Sequence, residues 1–133
     1  MRLSNSVWRQ GLLRWGQILA VYLFWPAVAV VVWGELTPSP PPMVQLFWDK
    51  LLHFIAYFGL SGIATMALGA RKRAFWAVLA LIALGGALEI IQGFTGRDAS
   101  FYDELANSLG AVSGFGVSWL LYQLLSAKVG ALG

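Results

Sequence analysis

Polar and ionisable side chains accumulate between residues 89 and 107 of a chain that is otherwise rich in apolar residues. The stretch begins within one apolar run and ends within the next, and it contains Glu89, Gln92, Arg97, Asp103 and Asn107. Ionisable groups beside long apolar runs cost free energy unless they pair, and they often mark functional sites. We expect this stretch to form either a turn that caps two helices or a polar site that holds a ligand.

A second polar group lies nearer the N terminus. Asp49, His53 and Tyr57 follow at helical spacing, which places them on one face of a helix, and Lys50 adjoins them. An imidazole beside carboxylates could act as a general acid or base, whereas a lysine in the same layer could meet an anionic group. The rest of the chain must position these two polar groups.

The amino-acid composition indicates whether the chain folds in water or in a membrane. Its 133 residues are 59% hydrophobic and 11% charged, with a mean hydropathy of +0.70, whereas soluble domains carry about 25% charged residues. We therefore expect an integral membrane protein of one domain. No cysteine is present, so neither a disulfide nor a thiolate site can form. The net charge of +3 does not indicate a nucleic-acid partner, because the basic residues stand at the ends of apolar runs.

The apolar runs predict an all-α fold, an integral membrane bundle of four transmembrane helices. The first helix is expected at 17–34, after a basic cytoplasmic leader at 1–16, and a proline-rich outer linker follows at 35–48. Residues 49–125 should hold the other three helices, and residues 126–133 a cytoplasmic tail.

The first apolar run leaves an alternative open. Ala27-Val28-Ala29 resembles a signal-peptidase site, so this run could be a cleaved leader. The apolar residues continue to Trp33, which favours an uncleaved anchor.

Basic residues indicate the orientation in the membrane. Lys50 and Arg97 fall on one side of the predicted topology, and the other Lys and Arg residues fall on the opposite side. Because cytoplasmic loops carry an excess of positive charge, we expect both termini to be cytoplasmic. In a bacterium this describes a multi-pass protein of the cytoplasmic (inner) membrane, with its polar groups facing the periplasm or the cell exterior.

This topology gathers the polar side chains into one layer below the outer surface. The predicted site consists of Asp49, Lys50, His53, Tyr57, Glu89, Gln92, Arg97, Ser100, Asp103 and Asn107. Within it, Glu89 needs a partner, which Arg97 or His53 could supply, and we expect the pair with Arg97. The spacing of Ser100 and Asp103 is typical of a capping box at the start of the last helix, and Asp49 could cap the second helix.

Metal and serine chemistry are not expected. His53, Glu89, Asp49 and Asp103 include suitable ligand types, but two of them have capping roles and no H-x-x-E-H motif occurs. We therefore expect no metal and no other cofactor. Ser61 lies about two turns deeper than His53, and no G-x-S-x-G motif is present.

Small residues indicate how the last helix packs. Ala106, Gly110, Gly114 and Ser118 form a stripe down this helix, and the two glycines form a GxxxG pair that allows close backbone approach. We expect the stripe to pack within the bundle, with homodimerisation as the alternative.

The polar residues stand in four short motifs: Asp49-Lys50-x-x-His53-Phe54-x-x-Tyr57, Glu89-x-x-Gln92-x-Phe94, Arg97-x-x-Ser100-x-x-Asp103 and Asn107-x-x-Gly110. Their order and spacing resemble the VanZ-like family of bacterial membrane proteins, over about residues 48–121. The resemblance implies a small multi-helix protein of the cell envelope. Because the family is named for a protein associated with teicoplanin resistance, it also implies a link to glycopeptide susceptibility or surface polymers. It implies no catalytic mechanism.

Three functions fit these observations. The site could bind an anionic or lipid-linked headgroup through Lys50, Arg97 and His53. It could instead be the active site of an enzyme that acts on a lipid-linked envelope intermediate, with His53 and Glu89 in acid–base roles. The cluster could also be a structural turn, in which case function lies in contacts with other envelope proteins. The expected partners are membrane lipids, a lipid-linked envelope precursor or envelope proteins, and not nucleic acid.

Overall fold

A computed structural model describes the backbone of residues 2–37, 46–95 and 99–130, and the side chains of 7–37, 48–95 and 99–126. Within these ranges the chain forms four α-helices and no strand. The helices are α1 (Arg2–Leu36), α2 (Leu46–Leu68), α3 (Lys72–Gln92) and α4 (Phe101–Gly130). The all-α prediction is confirmed for the described part of the chain.

Each helix carries a stretch that can cross a membrane. These stretches are Val7–Leu36, Trp48–Leu68, Lys72–Gln92 and Phe101–Ser126. The shortest have 21 residues, and such a helix is about 32 Å long, enough for a hydrocarbon core of about 30 Å. Large apolar side chains such as Trp25, Leu52 and Phe101 are exposed, whereas many polar side chains are buried. This inverted distribution fits a bundle surrounded by lipid, and the chain is a multi-pass membrane protein.

The centre of the bundle is the packing of α4 against α2. A Cβ atom added to Gly110 would meet the backbone carbonyl group of Phe54, and one added to Gly114 would meet that of Phe58. The hydroxyl of Ser61 crosses the same interface and donates to the backbone oxygen of Ala111 at 2.6 Å. The small-residue stripe therefore packs inside the bundle, as predicted. The hydroxyl of Ser61 is engaged in a hydrogen bond that links α2 to α4.

The helix bounds differ from the predicted ones around α1. The helix begins at Arg2, within the expected leader, continues through Pro26 and includes Glu35, which the sequence assigned to the linker. Residues 38–45 of that linker, and residues 131–133 of the expected tail, lie outside the described part of the chain. Helix α2 begins at Leu46, so Asp49 lies in its first turn and not at the cap position before it.

A tight turn joins α2 to α3. Gly69 and Ala70 adopt positive φ angles of 72° and 50°, and their N–H groups donate to the backbone oxygens of Met66 and Thr65 at 3.2 and 3.1 Å. This pattern is a Schellman end, for which glycine is favoured at the first left-handed position. A Cβ atom at Gly69 would lie 3.0 Å from Gln17 of α1 and 3.3 Å from Tyr122 of α4.

These contacts show that the helix directions alternate. The α2–α3 turn lies beside the N-terminal half of α1 and the C-terminal half of α4. The C-terminal ends of α1 and α3 and the N-terminal ends of α2 and α4 meet at the opposite end of the bundle, which we call the polar end.

Candidate functional site

His53 is the centre of the polar end. It lies about two turns into α2, with only 5% of its surface exposed. Its Nδ1 atom lies 3.0 Å from Oδ1 of Asn107 on α4 and 3.6 Å from Oε1 of Glu35 on α1. One ring nitrogen therefore connects three helices.

A second hydrogen bond fixes the orientation of the Asn107 amide. Its Nδ2 group donates to Oε2 of Glu104 at 3.3 Å, and Ser108 donates to the other oxygen of that carboxylate at 3.2 Å. The Oδ1 atom of Asn107 consequently faces His53 as an acceptor. With two acceptor oxygens next to Nδ1, the proton of a neutral His53 belongs on Nδ1, which leaves Nε2 as the basic nitrogen.

Lys50 and Asp103 form an ion pair between α2 and α4. The Nζ atom of Lys50 lies 3.1 Å from Oδ1 of Asp103, and the lysine side chain is 32% exposed while the aspartate is 8% exposed. The sequence assigned Asp103 to a capping box with Ser100. In the structure its carboxylate reaches across to α2, and the N–H groups of Asp103 and Glu104 donate to the backbone oxygen of Ser100.

Glu89 binds the start of α4 from the end of α3. Its Oε2 atom accepts from the backbone N–H of Ser100 at 3.0 Å, as a carboxylate near the positive end of a helix dipole should. Its Oε1 atom is buried and has no hydrogen-bond partner among the described residues. The predicted pair with Arg97 cannot be compared, because residues 96–98 lie outside the described part of the chain.

Gln92 attaches α1 to this end of the bundle. Its Nε2 group donates to the backbone oxygen of Glu35 at 2.6 Å, and the glutamine is buried. The backbone carbonyls in the last turn of a helix have no partner within the helix. Gln92 therefore provides a partner for one such carbonyl and holds Glu35 beside His53.

Tyr57 and Gly85 lie at the inner edge of the site. The Tyr57 hydroxyl is buried without a hydrogen-bond partner in the described part of the chain. A Cβ atom at Gly85 would lie 2.7 Å from Oε2 of Glu104, 3.0 Å from Nδ2 of Asn107 and 3.1 Å from this hydroxyl. Because Gly85 has no side chain, these three polar atoms can approach the backbone of α3 without a steric clash.

A cavity of about 300 Å³ opens between α1 and α2 beside His53. One part of its wall is polar and consists of Glu35, Asp49 and His53. The rest consists of Val30, Val31, Gly34, Leu52 and Ala56. A lining that is partly polar and partly apolar fits a molecule that has both kinds of surface.

Asp49, His53 and Asp103 also approach the arrangement of a metal site. Their ligand atoms lie within 4.8 Å of one another. However, the ammonium group of Lys50 lies 3.1 Å from Asp103 Oδ1 and already supplies a positive charge there. The expectation that the protein holds no metal stays a prediction.

The sequence prediction omitted two residues that the structure brings into the site, Glu35 and Glu104. Glu35 directly follows the first apolar run, and the prolines beyond it led to its assignment to the linker. Glu104 stands three residues before Asn107, a helical spacing that could have identified it.

Comparison with known families agrees with the motifs. The chain matches the VanZ/LLP1 family profile over residues 4–122, a range that includes every described residue of the site. The family resemblance stated from the sequence is thereby confirmed. Neither the curated proteins nor the solved structures contain a match to the chain.

Proposed function

The chain belongs to the VanZ/LLP1 family, and we propose that it is a cell-envelope protein whose polar end binds the headgroup of a lipid or lipid-linked intermediate. The headgroup enters the cavity between α1 and α2, and the acyl chain follows the exposed apolar surface of the helices. In this proposal the polar end faces outward from a bacterial cytoplasmic membrane, as the distribution of basic residues favours.

The observation that carries the proposal is the position of His53. It lines the cavity, while its Nδ1 atom is held by Asn107. The hydrogen bonds of the cluster thus orient the imidazole and leave Nε2 for a ligand. A cluster that served only to join helices would not need a cavity beside its central residue.

Lys50 gives the site a contact for phosphate. Its ammonium group is partly exposed next to the buried layer and shares its charge with Asp103. A headgroup phosphate can approach the exposed side of this ammonium group while the rest of the headgroup reaches His53. The predicted second contact, Arg97, lies outside the described residues. Influence on glycopeptide susceptibility stays a prediction from the family resemblance.

Filling the cavity tests the proposal. Ala56 lines the cavity, so the larger side chain of Ala56→Phe should occupy the space of the lipid. Because the lipid then loses a few buried contacts, its affinity should fall by about tenfold or more. Ala83 is exposed on α3, and Ala83→Phe is the matched control. Native mass spectrometry of the purified proteins with added envelope lipids measures both. Equal lipid affinity in both variants and the wild type would refute binding in this cavity.

Acid–base catalysis on a lipid-linked substrate is the second candidate. It is favoured by the neighbours of His53 Nδ1, since a base whose other nitrogen is held by hydrogen bonds is a common feature of active sites. In this candidate His53 activates a water molecule, and Ser61 is not the nucleophile because its hydroxyl donates to Ala111. Turnover of lipid phosphates that persists unchanged in His53→Gln would exclude this role.

A further inference from the structure

We infer that the end of the bundle opposite to the polar end binds the phosphates of an anionic phospholipid. We call it the basic end, and its described basic side chains are Arg9, Arg14, Arg71, Lys72 and Arg73. This surface is separate from the cavity beside His53, so the inference goes beyond the proposed function. The distribution of charge, the arrangement of the helices and the neighbouring aromatic side chains each support it.

The charged side chains are divided between the two ends of the bundle. The acidic side chains that the structure describes lie in the last turns of α1 and α3 and in the first turns of α2 and α4, at the polar end. At the basic end no described side chain is acidic, and the ion pairs among the described residues include none of its cations. An anion that binds there meets several cations and, within the described part of the chain, no competing carboxylate.

The α2–α3 turn brings basic side chains of two helices together. Residues 71–73, which we call the basic triplet, follow the turn directly and are all exposed. A Cβ atom at Gly69 in this turn would lie 3.0 Å from Nε2 of Gln17, so α1 passes beside the turn. Arg14 precedes Gln17 by three residues and therefore lies on the same face of α1, about 4.5 Å nearer to its N terminus. An arginine of α1 thus lies on the side of the bundle that carries the triplet.

Tryptophan side chains indicate that these cations lie at the depth of lipid headgroups. Trp76 follows Lys72 by four residues on α3, and Trp15 directly follows Arg14 on α1. Each tryptophan is 67% exposed, as expected of aromatic side chains that anchor helices at a membrane–water interface. Leu79 is also exposed and continues this apolar surface along α3 towards the polar end. The partner that fits both the cations and the adjoining apolar surface is a phospholipid.

The basic side chains form two groups, one on α1 and one at the start of α3. Packed helices lie about 8–10 Å apart, and a guanidinium group can donate two parallel hydrogen bonds to one phosphate. Diphosphatidylglycerol has two phosphates joined by a glycerol, so it can give one phosphate to each group. A lipid with a single phosphate can contact only one group closely and should bind more weakly.

The experiment compares three lipids that all carry oleoyl chains. Native mass spectrometry measures the affinities of diphosphatidylglycerol, phosphatidylglycerol and phosphatidylcholine for the purified wild type and for Ala56→Phe, in which the cavity at the polar end is filled. A basic side chain near an anionic lipid surface contributes about fivefold in affinity. We therefore expect both proteins to bind diphosphatidylglycerol about tenfold or more tighter than phosphatidylcholine, with phosphatidylglycerol between them.

Variants of the basic triplet connect this ranking to the surface. The double variant Arg71→Gln and Arg73→Gln removes two positive charges and should weaken diphosphatidylglycerol binding by about tenfold or more. The double variant Arg71→Lys and Arg73→Lys retains both charges and is the matched control. It should lose about threefold or less, because lysine lacks only the paired donors of arginine. Far-UV circular dichroism checks that each variant retains its helices.

Arg14→Gln tests the second group of cations. It removes one charge from α1 and leaves the basic triplet intact. If the two phosphates contact the two groups, this variant should weaken diphosphatidylglycerol binding more than phosphatidylglycerol binding. An equal loss for both lipids would contradict the assignment of one phosphate to each group.

Pyrophosphate distinguishes a lipid from a free phosphate compound, because it has two phosphates and no acyl chain. We expect that it does not displace diphosphatidylglycerol at equal concentration, since it lacks the apolar contacts. Displacement would assign the surface to a soluble polyphosphate and would overturn the lipid assignment.

The two proposals fail under different results. If Ala56→Phe binds the three lipids equally well, or if the glutamine and lysine double variants lose equal affinity, the inference about the basic end is wrong. If Ala56→Phe leaves every affinity at its wild-type value while the ranking of the lipids persists, binding in the cavity is wrong and the inference about the basic end stands.

Discussion

The Nδ1 atom of His53 and the Oδ1 atom of Asn107 lie 3.0 Å apart and connect α2 to α4 at the polar end of the bundle. Both residues are buried, and Asn107 is itself oriented by Glu104. A hydrogen-bond series of this kind holds the histidine ring in one tautomer. This constraint distinguishes an oriented site from a set of polar residues that merely tolerate burial.

The tautomer of His53 can be measured directly. The chain contains one histidine, so labelling with ¹⁵N-histidine gives the signals of His53 alone. We predict that neutral His53 carries its proton on Nδ1. Asn107→Leu removes the acceptor and should shift the population towards the Nε2–H form. A wild-type spectrum with the proton on Nε2 would contradict the hydrogen-bond series.

Glycine at position 110 should be required for the α2–α4 contact. A Cβ atom there would meet the backbone of Phe54, which cannot rotate away as a side chain can. Gly110→Ala should therefore lower the free energy of unfolding by about 1–3 kcal/mol or more. Titration with SDS in mixed micelles, followed by circular dichroism, measures this change.

Gly116 provides the matched control on the same helix. No atom lies within 4 Å of a Cβ atom added there, so Gly116→Ala should leave stability unchanged or raise it by up to about 1 kcal/mol. Equal destabilisation by the two substitutions would show that the loss comes from the helix itself and not from the contact with α2.

Gly85 and Gly86 provide a second comparison, on α3. A Cβ atom at Gly85 would lie 2.7 Å from Glu104 Oε2, whereas one at Gly86 would have its nearest contact at 3.8 Å. Gly85→Ala should displace Glu104 and the Asn107 amide, and the ¹⁵N signals of His53 should report the change. Gly86→Ala should leave those signals in place. If Gly85→Ala also leaves them unchanged, the polar atoms around Gly85 are less constrained than their distances indicate.

Gln92 should determine how firmly the end of α1 is held. Gln92→Met keeps a similar volume but loses the donor to the Glu35 backbone oxygen, at a cost of about 1–3 kcal/mol for the carbonyl left unsatisfied. Hydrogen exchange in residues 32–37 should become faster. Gln123→Met, on an exposed position of α4, is the control. Unchanged exchange in Gln92→Met would show that other contacts hold this segment.

Much of the fold followed from composition. Long apolar runs predict helices because every backbone group must be satisfied within the segment when lipid is the solvent. The glycine pair at 110 and 114 predicted that α4 packs closely against another helix, because glycine has no side chain to keep the two backbones apart. In the structure both glycines lie against the backbone of α2. The spacing of His53 and Asn107 within their helices placed both in one layer.

The partners of individual side chains could not be predicted in this way. Helical spacing gives the face and depth of a residue but not the rotation of each helix against its neighbours. The capping role assigned to Asp103 was reasonable from local sequence, but its carboxylate binds Lys50 on another helix. Glu35 was not predicted to be part of the site, because the prolines after it suggested that α1 ends before Glu35, whereas the helix continues to Leu36. The cavity depends on the packing of α1 against α2, which no motif specifies.

The most direct experiment measures the ¹⁵N signals of the His53 ring while lipid is added to the protein. The ¹⁵N signal of His53 Nε2 is recorded as phosphatidylethanolamine is titrated into the purified protein, beside Ala56→Phe. We predict a saturable shift of Nε2 in the wild type, little change at Nδ1, and no shift in Ala56→Phe. Saturable lipid binding that leaves the Nε2 signal unmoved would contradict the account, and the polar end would then be a structural junction of the helices.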